Sequence, residues 1–369
     1  MIQFVKEFIK NTPTLYNWAM YVFYTRQFKR YLKLNNIPNK HYDGEDEYRN
    51  KWSAFGVRVE PYSYRLFSQY FKMGGGNDIV PENIGRCYIE TVLNPLRMRT
   101  VYEDKNMFPI LCGKAALPET VVCRMGGGPI LDCEYNPITK SLDNYLEGYS
   151  KVILKPSLDS CSGHGVMLFE NNGSYWESKN EGRSLSTEFL LNYGDDFVLQ
   201  EAVQQHPDIA RFNPSSVNTL RIAVYRSVID NEPHAVASVI RIGKEGMFVD
   251  NAHAGGLFCG INILTGKLDN ILLDQYGNRY ETLNGIDYQN NEYFIPQWES
   301  VKGFVCDIAR KLVHHRFIAF DVTIDIHGEV RLIEYNISGF GYWVFMFTGQ
   351  KCFGEYTDEV IEYCVNRKK

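Results

Sequence analysis

The pattern of hydrophobic and polar positions is clearest near the end of the chain. Two alternating segments, Ala319–Ile326 and Glu329–Ile333, flank a short polar turn that contains glycine. Alternation with a period of two predicts β-strands, and the turn between them predicts a β-hairpin. Glu334 and Asn336 are two positions apart, so on a strand their side chains point to the same face. Pairing across the turn would bring Asp321 near both of them.

Apolar runs and alternation elsewhere predict a mixture of strands and helices. The predicted strands are Cys87–Leu93, Val121–Met125, Lys151–Lys155, Val166–Glu170, Phe197–Gln200, Thr219–Ser227 and His234–Arg241. Helices are predicted over residues 1–40, within residues 41–72, around Asp104–Cys112 and over Trp298–His314. Because strands and helices interleave without strict βαβ alternation, the predicted fold class is α+β.

Composition and charge narrow the class of protein. The 369 residues are 44% hydrophobic and 22% charged, which suffices for two or three lobes with buried cores. A net charge of −5 argues against a general nucleic-acid-binding protein, which would be basic. The nine cysteines include no C-x-x-C pair, so they predict reduced cytosolic thiols rather than structural zinc. No apolar run is long enough to span a bilayer, and the predicted location is cytoplasmic.

The N-terminal segment is apolar, aromatic and basic. Leu15–Tyr24 is surrounded by six basic residues, Lys6, Lys10, Arg26, Lys29, Arg30 and Lys33. The segment lacks the small-residue cleavage site of a signal peptide. One interpretation is a pair of amphipathic helices at the inner face of an anionic membrane. The preferred interpretation is a helical extension that packs on the body of the protein or on a second subunit.

A strand that ends in lysine, and the loop after it, are candidates for phosphate binding. Lys151–Lys155 leads into the loop SLDSCSGHG, residues 157–165. Small residues and glycines let backbone N–H groups approach phosphate oxygens closely, and the lysine would neutralise phosphate charge. Alone this pattern is weak, since glycine-rich hairpin turns are common.

Two other segments carry polar residues suited to a nucleotide. The strand Phe197–Val203 leads into a polar linker, where adenine would contact backbone groups and a later carboxylate would take the ribose hydroxyls. Arg221 lies early on a strand, where a guanidinium suits a phosphate or a developing oxyanion, with a structural salt bridge as the alternative. Arg241 precedes a polar glycine-containing loop, residues 249–256, which suits either close substrate contact or a plain turn.

Asp321, Glu334 and Asn336 form the most specific candidate. Two carboxylates and a carboxamide make an all-oxygen donor set, which suits Mg²⁺ that carries a nucleotide's phosphates. The alternative is a surface hairpin with ordinary acidic residues. The chain has no Walker A, G-x-G-x-x-G or G-x-S-x-G motif, and His314–His315 has no partner at a metal-ligand spacing.

The order of these segments resembles that of the sugar-transfer-associated ATP-grasp proteins, which are found with bacterial surface-polysaccharide genes. The matching segments, within about residues 100–345, are DKNMF, VILKP, SCSGHG, VLQEAVQQHP, SVNTLRI, VDNAHAGGL, IPQW and FDVTIDIHGEVRLIEYN. The resemblance implies an ATP-grasp fold, in which two α+β lobes clasp ATP and the middle one acts as a lid. Ala319 stands where many amino-acid ligases of the superfamily carry an arginine, so that charge would come from Arg221 or Arg241.

The resemblance also implies a role for each candidate residue. ATP would be held by Lys105, Lys155, Ser160, Ser162, Gly163, Gly165, Gln200, Glu201, Ala202, Val203 and Asp208. The metal ions, two Mg²⁺ with Mn²⁺ as an alternative, would be held by Asp321, Glu334 and Asn336. Catalysis would fall to Arg221, Arg241 and Asn218. The substrates would contact Asp250, Asn251, His253, Gly255, Gly256, Ser338 and Gly339.

Four regions are expected: a helical N-terminal extension over residues 1–45, a region preceding the ATP-grasp core over 46–115, a lid subdomain over 116–200 and a C-terminal core with the metal site over 201–369.

The implied activity is that of an ATP-dependent carboxylate–amine ligase with an acyl-phosphate intermediate, joining an amino acid or amine to a sugar-acid or amino-sugar component of a surface polysaccharide. The alternatives are a phosphotransferase and a nucleotide-binding scaffold for glycan assembly. The expected partners are small-molecule or glycan-linked substrates. A second copy of the chain, in a homodimer, and the membrane surface are further candidates, and nucleic acid is not expected.

Overall fold

The computed structural model describes residues 12–71, 75–158, 163–179, 181–246 and 255–367. Its strands, β1 to β15 in chain order, are Thr120–Arg124, Leu131–Asp132, Lys151–Pro156, Met167–Asn171, Trp176–Ser178, Phe197–Glu201, Thr219–Arg226, Pro233–Ile242, Leu257–Ile261, Leu268–Leu273, Arg279–Tyr280, Thr282–Leu283, Ile286–Asp287, Phe317–Ile324 and Val330–Asn336. Its helices, α1 to α13, are Pro13–Leu34, Glu45–Trp52, Tyr62–Phe67, Glu82–Ile84, Glu90–Leu93, Arg99–Glu103, Phe108–Cys112, Leu142–Tyr145, Thr187–Tyr193, Pro207–Ala210, Trp298–Lys311, Tyr342–Phe347 and Thr357–Arg367. Two large antiparallel sheets with flanking helices confirm the predicted α+β class.

The first sheet has six strands in the order β2-β1-β6-β3-β4-β5. On one face, Val152, Leu154 and Phe169 are buried in a core that also includes Leu190 of α9. Because side chains alternate along a strand, Lys155 points to the opposite face from Val152 and Leu154. The lysine that ends β3 is therefore turned away from this sheet's own core.

The second sheet has seven strands in the order β11-β10-β9-β8-β7-β14-β15. One face, which includes Ile222 and Phe320, packs against α11 in a continuous hydrophobic core. Part of the other face, including Ala223 and Ala319, joins a second core formed with the N-terminal and C-terminal helices. The remainder of that second face carries polar residues, and it is there that the predicted site residues gather.

Helix α1 packs on the body of the protein. Its inner side buries Tyr24, Phe28, Tyr31 and Leu32 in the same core as α3 and α12. This packing agrees with the preferred interpretation of the N-terminal segment as a helical extension; residues 1–11 lie outside the described part of the chain. Within the described residues, no helix has both the length and the apolar character that a membrane span requires.

Most predicted strands are confirmed, with ends that differ by at most three residues. The C-terminal hairpin consists of β14 and β15, so its second strand extends through Asn336. The predicted strand Cys87–Leu93 is wrong, because this segment forms a π-helical turn over Gly85–Ile89 followed by α5. Every residue from 81 to 90 except Arg86 is buried, so the segment has no polar face from which its period could be read. The predicted region boundaries stay a prediction.

Candidate functional site

Asp321 lies at the centre of the candidate site because its strand pairs on both sides with strands that carry charged residues. It is the direct partner of Arg221 on β7 and of Glu334 on β15. Directly paired residues point to the same face of a sheet. Ala319, two positions earlier on β14, pairs with Asn336, which therefore joins this face as well. The structure thus brings together the three predicted metal residues and a predicted catalytic arginine.

Two arginines neutralise the Asp321 carboxylate. Arg221 donates from Nε to Oδ1 at 2.9 Å and from Nη2 to Oδ2 at 2.7 Å, which makes a bidentate ion pair. Arg241 Nη2 lies 3.3 Å from the same Oδ2, and its Nε donates to the Thr219 hydroxyl at 2.9 Å. Burial alone would raise the pKa of Asp321, but Arg221 and Arg241 outweigh burial and hold the pKa below its usual value. Asp321 is therefore an ionised side chain that is only 2% exposed.

A β-bulge in β15 presents two different acceptors to two lysines. The register shifts beside Asp321, and Ile333 is the extra residue of the bulge. Lys155 reaches across from the first sheet and donates from Nζ to the Ile333 carbonyl at 3.4 Å. Lys105 Nζ lies 3.7 Å from Glu334 Oε2. Both lysines therefore approach the same end of β15 from outside the second sheet.

Lys155 has the chemistry of a group that responds to an incoming anion. Burial and, to a smaller extent, the nearby Lys105 lower the pKa of Lys155 to about 8, while Glu334 acts in the opposite direction. A lysine with such a pKa is only partly charged in mildly basic solution. A phosphate placed beside it would favour the charged form, because opposite charges stabilise each other at short range.

Lys105 is positioned by a short 3-10 turn, Lys105–Met107. The turn is capped by Asp104, whose side chain accepts a hydrogen bond from the Asn106 N–H at 2.9 Å. The backbone N–H of Lys105 donates to the Ser157 carbonyl at 3.1 Å, which ties the turn to the end of β3. The segment DKNMF therefore lies beside VILKP, and its lysine is 7% exposed.

The loop after β3 is described only at its two ends, and Ser160 and Ser162 lie outside the described residues. Gly163 and Gly165 have φ angles of 74° and 77°, which favour glycine. A Cβ at Gly165 would lie 2.9 Å from the Pro156 ring, and the Gly165 carbonyl accepts the Tyr193 hydroxyl at 2.6 Å. Packing therefore explains this glycine, and the phosphate contact of the loop stays a prediction.

The end of β6 uses its polar backbone groups inside the fold. The Glu201 N–H donates to the Glu119 carbonyl at 2.8 Å, and the Ala202 N–H donates to the Lys151 carbonyl at 3.1 Å. Gln200 is buried, with its side-chain amide 3.4 Å from the Pro118 carbonyl. These contacts fix the end of β6 to the neighbouring segments of the first sheet, and the contact of these three predicted nucleotide residues with adenine stays a prediction.

A cavity of about 510 Å³ opens beside this connection. It is lined by Glu201, Val203 and Gln204 from the linker and by His327 and Arg331 from the tip of the C-terminal hairpin, among others. Its volume is in the range of small-molecule pockets, which run from about 300 to 1,000 Å³. Two of the predicted nucleotide residues therefore border a ligand-sized space.

Asp208 and Asn218 occupy different surroundings. Asp208 is exposed on the short helix α10, with Arg211 Nη1 3.8 Å from its Oδ1. Asn218 is fully buried, and its side-chain amide donates to the carbonyls of Ile209 and Asn213 at 3.0 Å each. Asn218 therefore holds the loop that leads into β7, and its predicted catalytic role stays a prediction.

Two carboxylates that sequence reasoning missed hold the turn after β15. Glu90 accepts the Gly339 N–H at 2.9 Å, and Glu103 accepts the Ser338 hydroxyl at 3.0 Å. Burial raises the pKa of Glu90 to about 7, although Arg86 acts in the opposite direction. Arg86 and Glu90 are four positions apart in the sequence, which is the spacing of neighbouring side chains on an α-helix. This spacing could have indicated a helix here in place of the predicted strand.

The predicted substrate loop is described only from Gly255 onward, and Asp250, Asn251 and His253 lie outside the described residues. Gly255 has a φ of 94°, a conformation that favours glycine, and Gly256 precedes β9. The substrate contacts predicted for this loop therefore stay predictions.

The oxygen donors at the end of the hairpin fit a hard divalent cation in their chemistry. Glu334 is 32% exposed and supplies a carboxylate, and Asn336 supplies a carboxamide whose Nδ2 is 3.3 Å from Asp321 Oδ2. Both oxygens of Asp321 are engaged by arginine, so Glu334 and Asn336 are the more available donors. Within the described ranges, no cluster of three or more His, Cys, Asp or Glu side chains could hold a metal, so a site here depends on the asparagine.

A match to a family model identifies this α+β chain as an ATP-grasp protein. The family model described as sugar-transfer associated ATP-grasp matches residues 86–359, well over half of the chain. The chain belongs to this family, as its sequence segments predicted. No curated protein sequence is significantly similar to it.

Solved structures with a similar arrangement include several ligases and synthetases. D-cycloserine synthetase is 11% identical, with a TM-score of 0.41 and coverage of 75% of this chain and 74% of that one. The ATP-grasp ligase PsnB is 14% identical, with a TM-score of 0.37 and coverage of 84% and 71%. The L-amino acid ligase from Bacillus licheniformis is 11% identical, with a TM-score of 0.34 and coverage of 66% and 42%. The chain thus spans less than half the length of the Bacillus licheniformis enzyme.

Proposed function

We propose that the protein is an ATP-dependent ligase that joins a carboxylate to an amine. The observation that carries the proposal is the cluster around Asp321, where Arg221 and Glu334 pair with it on neighbouring strands and Lys105 and Lys155 reach the same strand end. Phosphoryl transfer needs little covalent chemistry from a protein. It needs positioning and neutralisation of concentrated negative charge, and this cluster offers both.

The cluster divides into groups for phosphate and groups for metal. Lys105 and Lys155 would contact the phosphates of ATP. Asp321, Glu334 and Asn336 would hold Mg²⁺, which supplies charge neutralisation at the phosphate oxygens when bound. Arg241 and Arg221 would stabilise the transferred phosphoryl group, and the ion pair with Asp321 keeps Arg221 in position beforehand.

The proposed reaction has two steps. In the first, a substrate carboxylate oxygen attacks the γ-phosphorus of ATP, the bond from phosphorus to the β,γ-bridging oxygen breaks, and ADP leaves an acyl phosphate behind. In the second, the amine nitrogen attacks the acyl carbon, the carbon–oxygen bond to phosphate breaks, and the proton lost by the nitrogen leaves with the released phosphate as the amide forms. The carboxylate is already ionised at neutral pH, so the first step needs no catalytic base. This agrees with a site dominated by lysine and arginine.

The family's description supports a substrate class connected with sugar transfer. We propose that one partner in the amide is a sugar acid or an amino sugar of a surface polysaccharide and that the other is an amino acid or simple amine. The turn Ser338–Gly339, which Glu103 and Glu90 hold beside the end of β15, is the proposed position of the acceptor.

The proposal is tested with purified protein, ATP, Mg²⁺ and pools of uronic acids, amino acids and amines. We expect phosphate release only when a carboxylate and an amine are both present, and a product with the mass of the two substrates less one water. Carboxylate labelled with ¹⁸O should transfer one labelled oxygen to the released phosphate. A stable phosphorylated product without amine would instead support a phosphotransferase, and nucleotide binding without turnover across all pools would support a scaffold.

A further inference from the structure

The outer face of helix α1, on the side opposite its buried residues, takes no part in the site described above. On this outer face Trp18 is 62% exposed and Phe23 is 54% exposed. Single exposed hydrophobic residues are common on soluble proteins, so these two alone would not indicate a partner. The residues that share the face with them give it a more specific character.

The outer face is divided along the helix into an apolar half and a basic half. One line of outward residues, at spacings of three and four, consists of Leu15, Ala19, Val22, Arg26, Arg30 and Lys33. Residues at these spacings lie along one side of an α-helix. The first three are apolar and partly buried, with the exposed Trp18 and Phe23 beside them, whereas the last three are basic and exposed. The helix contains no acidic residue, although the whole chain carries a net charge of −5.

Basic side chains from outside this line extend the positive surface. Lys29 Nζ lies 4.8 Å from the centroid of the Tyr62 ring, and the Arg58 guanidinium lies 5.4 Å from that of Tyr21. Such cation–π contacts hold long side chains against the protein while leaving their charge at the surface. The outer face of α1 is therefore a basic patch beside exposed aromatic residues.

We infer that the outer face of α1 docks on an anionic phospholipid surface. A helix that lies along a bilayer uses apolar and aromatic side chains at the level of the headgroups and basic side chains for the lipid phosphates. The outer face of α1 carries both the aromatic and the basic side chains, while Phe28 and Leu32 on the buried side fix the helix to the core. Since the protein as a whole is acidic, this local basic patch determines which side meets the membrane.

A second copy of the chain fits this face less well. A two-fold symmetric dimer places the same surface of both subunits in contact. A parallel pair of helices would set the basic halves against each other, and an antiparallel pair would set the basic half of each against the apolar half of the other. Arg26, Arg30 and Lys33 would then face like charges or apolar side chains. An anionic lipid surface supplies the opposite charge along the whole helix, which is why we commit to it.

The test measures sedimentation of the full-length protein with vesicles of phosphatidylcholine, with or without one third phosphatidylglycerol. We expect binding that requires the anionic lipid and weakens as salt is raised. The triple variant Arg26→Glu, Arg30→Glu, Lys33→Glu should bind about 100-fold more weakly, since each basic residue near such a surface contributes roughly fivefold. The double variant Trp18→Ser, Phe23→Ser should also bind more weakly, without any change in charge.

Two controls separate this inference from unfolding and from net charge. The variant Lys140→Glu, Lys179→Glu, Lys244→Glu changes the net charge by the same amount at exposed positions outside the outer face, and it should retain most of the binding. All variants should keep the wild-type thermal unfolding midpoint and ATP-dependent activity, because the outer face is separate from the site. This also makes the result independent of the proposed ligase activity.

Three results would overturn the inference. The first is equal binding to vesicles with and without the anionic lipid. The second is equal weakening by the control triple variant and by the α1 triple variant. The third is concentration-dependent self-association, seen by analytical ultracentrifugation, that is lost in the double variant Trp18→Ser, Phe23→Ser, because it would assign the face to a second copy of the chain.

Discussion

Arg221 and Asp321 form a bidentate ion pair across adjacent strands, with nitrogen–oxygen distances of 2.9 and 2.7 Å. The pair joins two residues to which the sequence assigns different roles, one at the phosphoryl group and the other at the metal. Within the fold each is the electrostatic partner of the other. The pair therefore links the stability of the second sheet to the charge distribution at the proposed ATP site.

Removing the Asp321 carboxylate should reduce both stability and activity. Asp321→Ala leaves two largely buried guanidinium groups without this counter-ion, and breaking a buried ion pair in this way costs about 3 kcal/mol of unfolding free energy. Urea unfolding monitored by circular dichroism measures this change. Glu134→Ala removes a carboxylate from an exposed pair with Lys114 and serves as the control, with stability expected to stay near wild type. Equal stability of Asp321→Ala and wild type would contradict the structural role of the pair.

Glu334→Ala should behave differently from Asp321→Ala. Glu334 is 32% exposed, and its nearest cation, Lys105, is 3.7 Å away, so the fold loses little when the carboxylate is removed. We expect ATP-dependent turnover to fall by at least about 100-fold, the scale expected for loss of a group that acts on transition-state charge. Phosphate release and thermal unfolding are measured on the same preparation. A full rate in this variant would remove Glu334 from the site.

The affinity for ATP should depend on pH through Lys155. Burial lowers the pKa of Lys155 to about 8, and bound phosphate would raise it, so the bound state holds more protons than the free state near pH 8. Binding should therefore take up protons near pH 8, and affinity should fall as the pH rises through that value. Calorimetry in buffers of different ionisation enthalpy measures the uptake.

The variant Lys155→Met provides the decisive comparison for that pH dependence. It should bind ATP more weakly at pH 7 and show no proton uptake from this position, whereas Lys140→Met, at an exposed site, should match wild type. Unchanged affinity and unchanged proton uptake in Lys155→Met would show that the lysine does not meet phosphate.

Glu90 should make the protein less stable as pH rises. Its pKa is raised to about 7 by burial, so the folded state binds more protons than the unfolded state between pH 4.5 and about 7. Stability from this group is therefore lost over that interval, by up to about 3 kcal/mol. Glu90→Gln keeps an acceptor for the Gly339 N–H and should reduce the difference in unfolding free energy between pH 5 and pH 8.

Glu188→Gln, on the exposed surface of α9, is the matched control for Glu90→Gln and should leave the pH dependence unchanged. If Glu90→Gln showed the same loss of stability with pH as wild type, the buried carboxylate would not be its source. Glu60, a second buried carboxylate whose pKa burial raises to about 7, would then be the next position to test.

Prediction of the fold from sequence is most accurate where the local pattern and the tertiary environment favour the same element. The C-terminal hairpin is predictable because one short turn sets its register, and alternation places Glu334 and Asn336 on one face. The bulge at Ile333 is not visible in the linear pattern, and it is this bulge that brings Glu334 opposite Asp321. Lys155 is recognisable because a strand pattern ends on it. The hydrophobic period of segment 87–93 does not separate a helix from a strand, because five of its seven residues are buried and little polar face remains.

Contacts between distant segments are beyond sequence reasoning. Arg221 and Asp321 are 100 positions apart, and only the pairing of β7 with β14 shows that they meet. The same applies to Glu90 and Gly339, which are 249 positions apart. The segment that contains Asn218 matches the family, and this match favours a catalytic role for the residue. The burial of Asn218 within its own loop is a tertiary property, which the linear pattern does not reveal.

The most direct test of the account is equilibrium binding of a non-hydrolysable ATP analogue, measured with Mg²⁺ and with excess EDTA. The account predicts that the wild-type protein binds the analogue tightly only with Mg²⁺, and that Glu334→Gln weakens this binding at least tenfold while leaving the weak binding in EDTA unchanged. Equal affinity in Mg²⁺ and in EDTA, for wild type and variant alike, would contradict the assignment of the charged cluster around Asp321 as a site for metal-bound ATP.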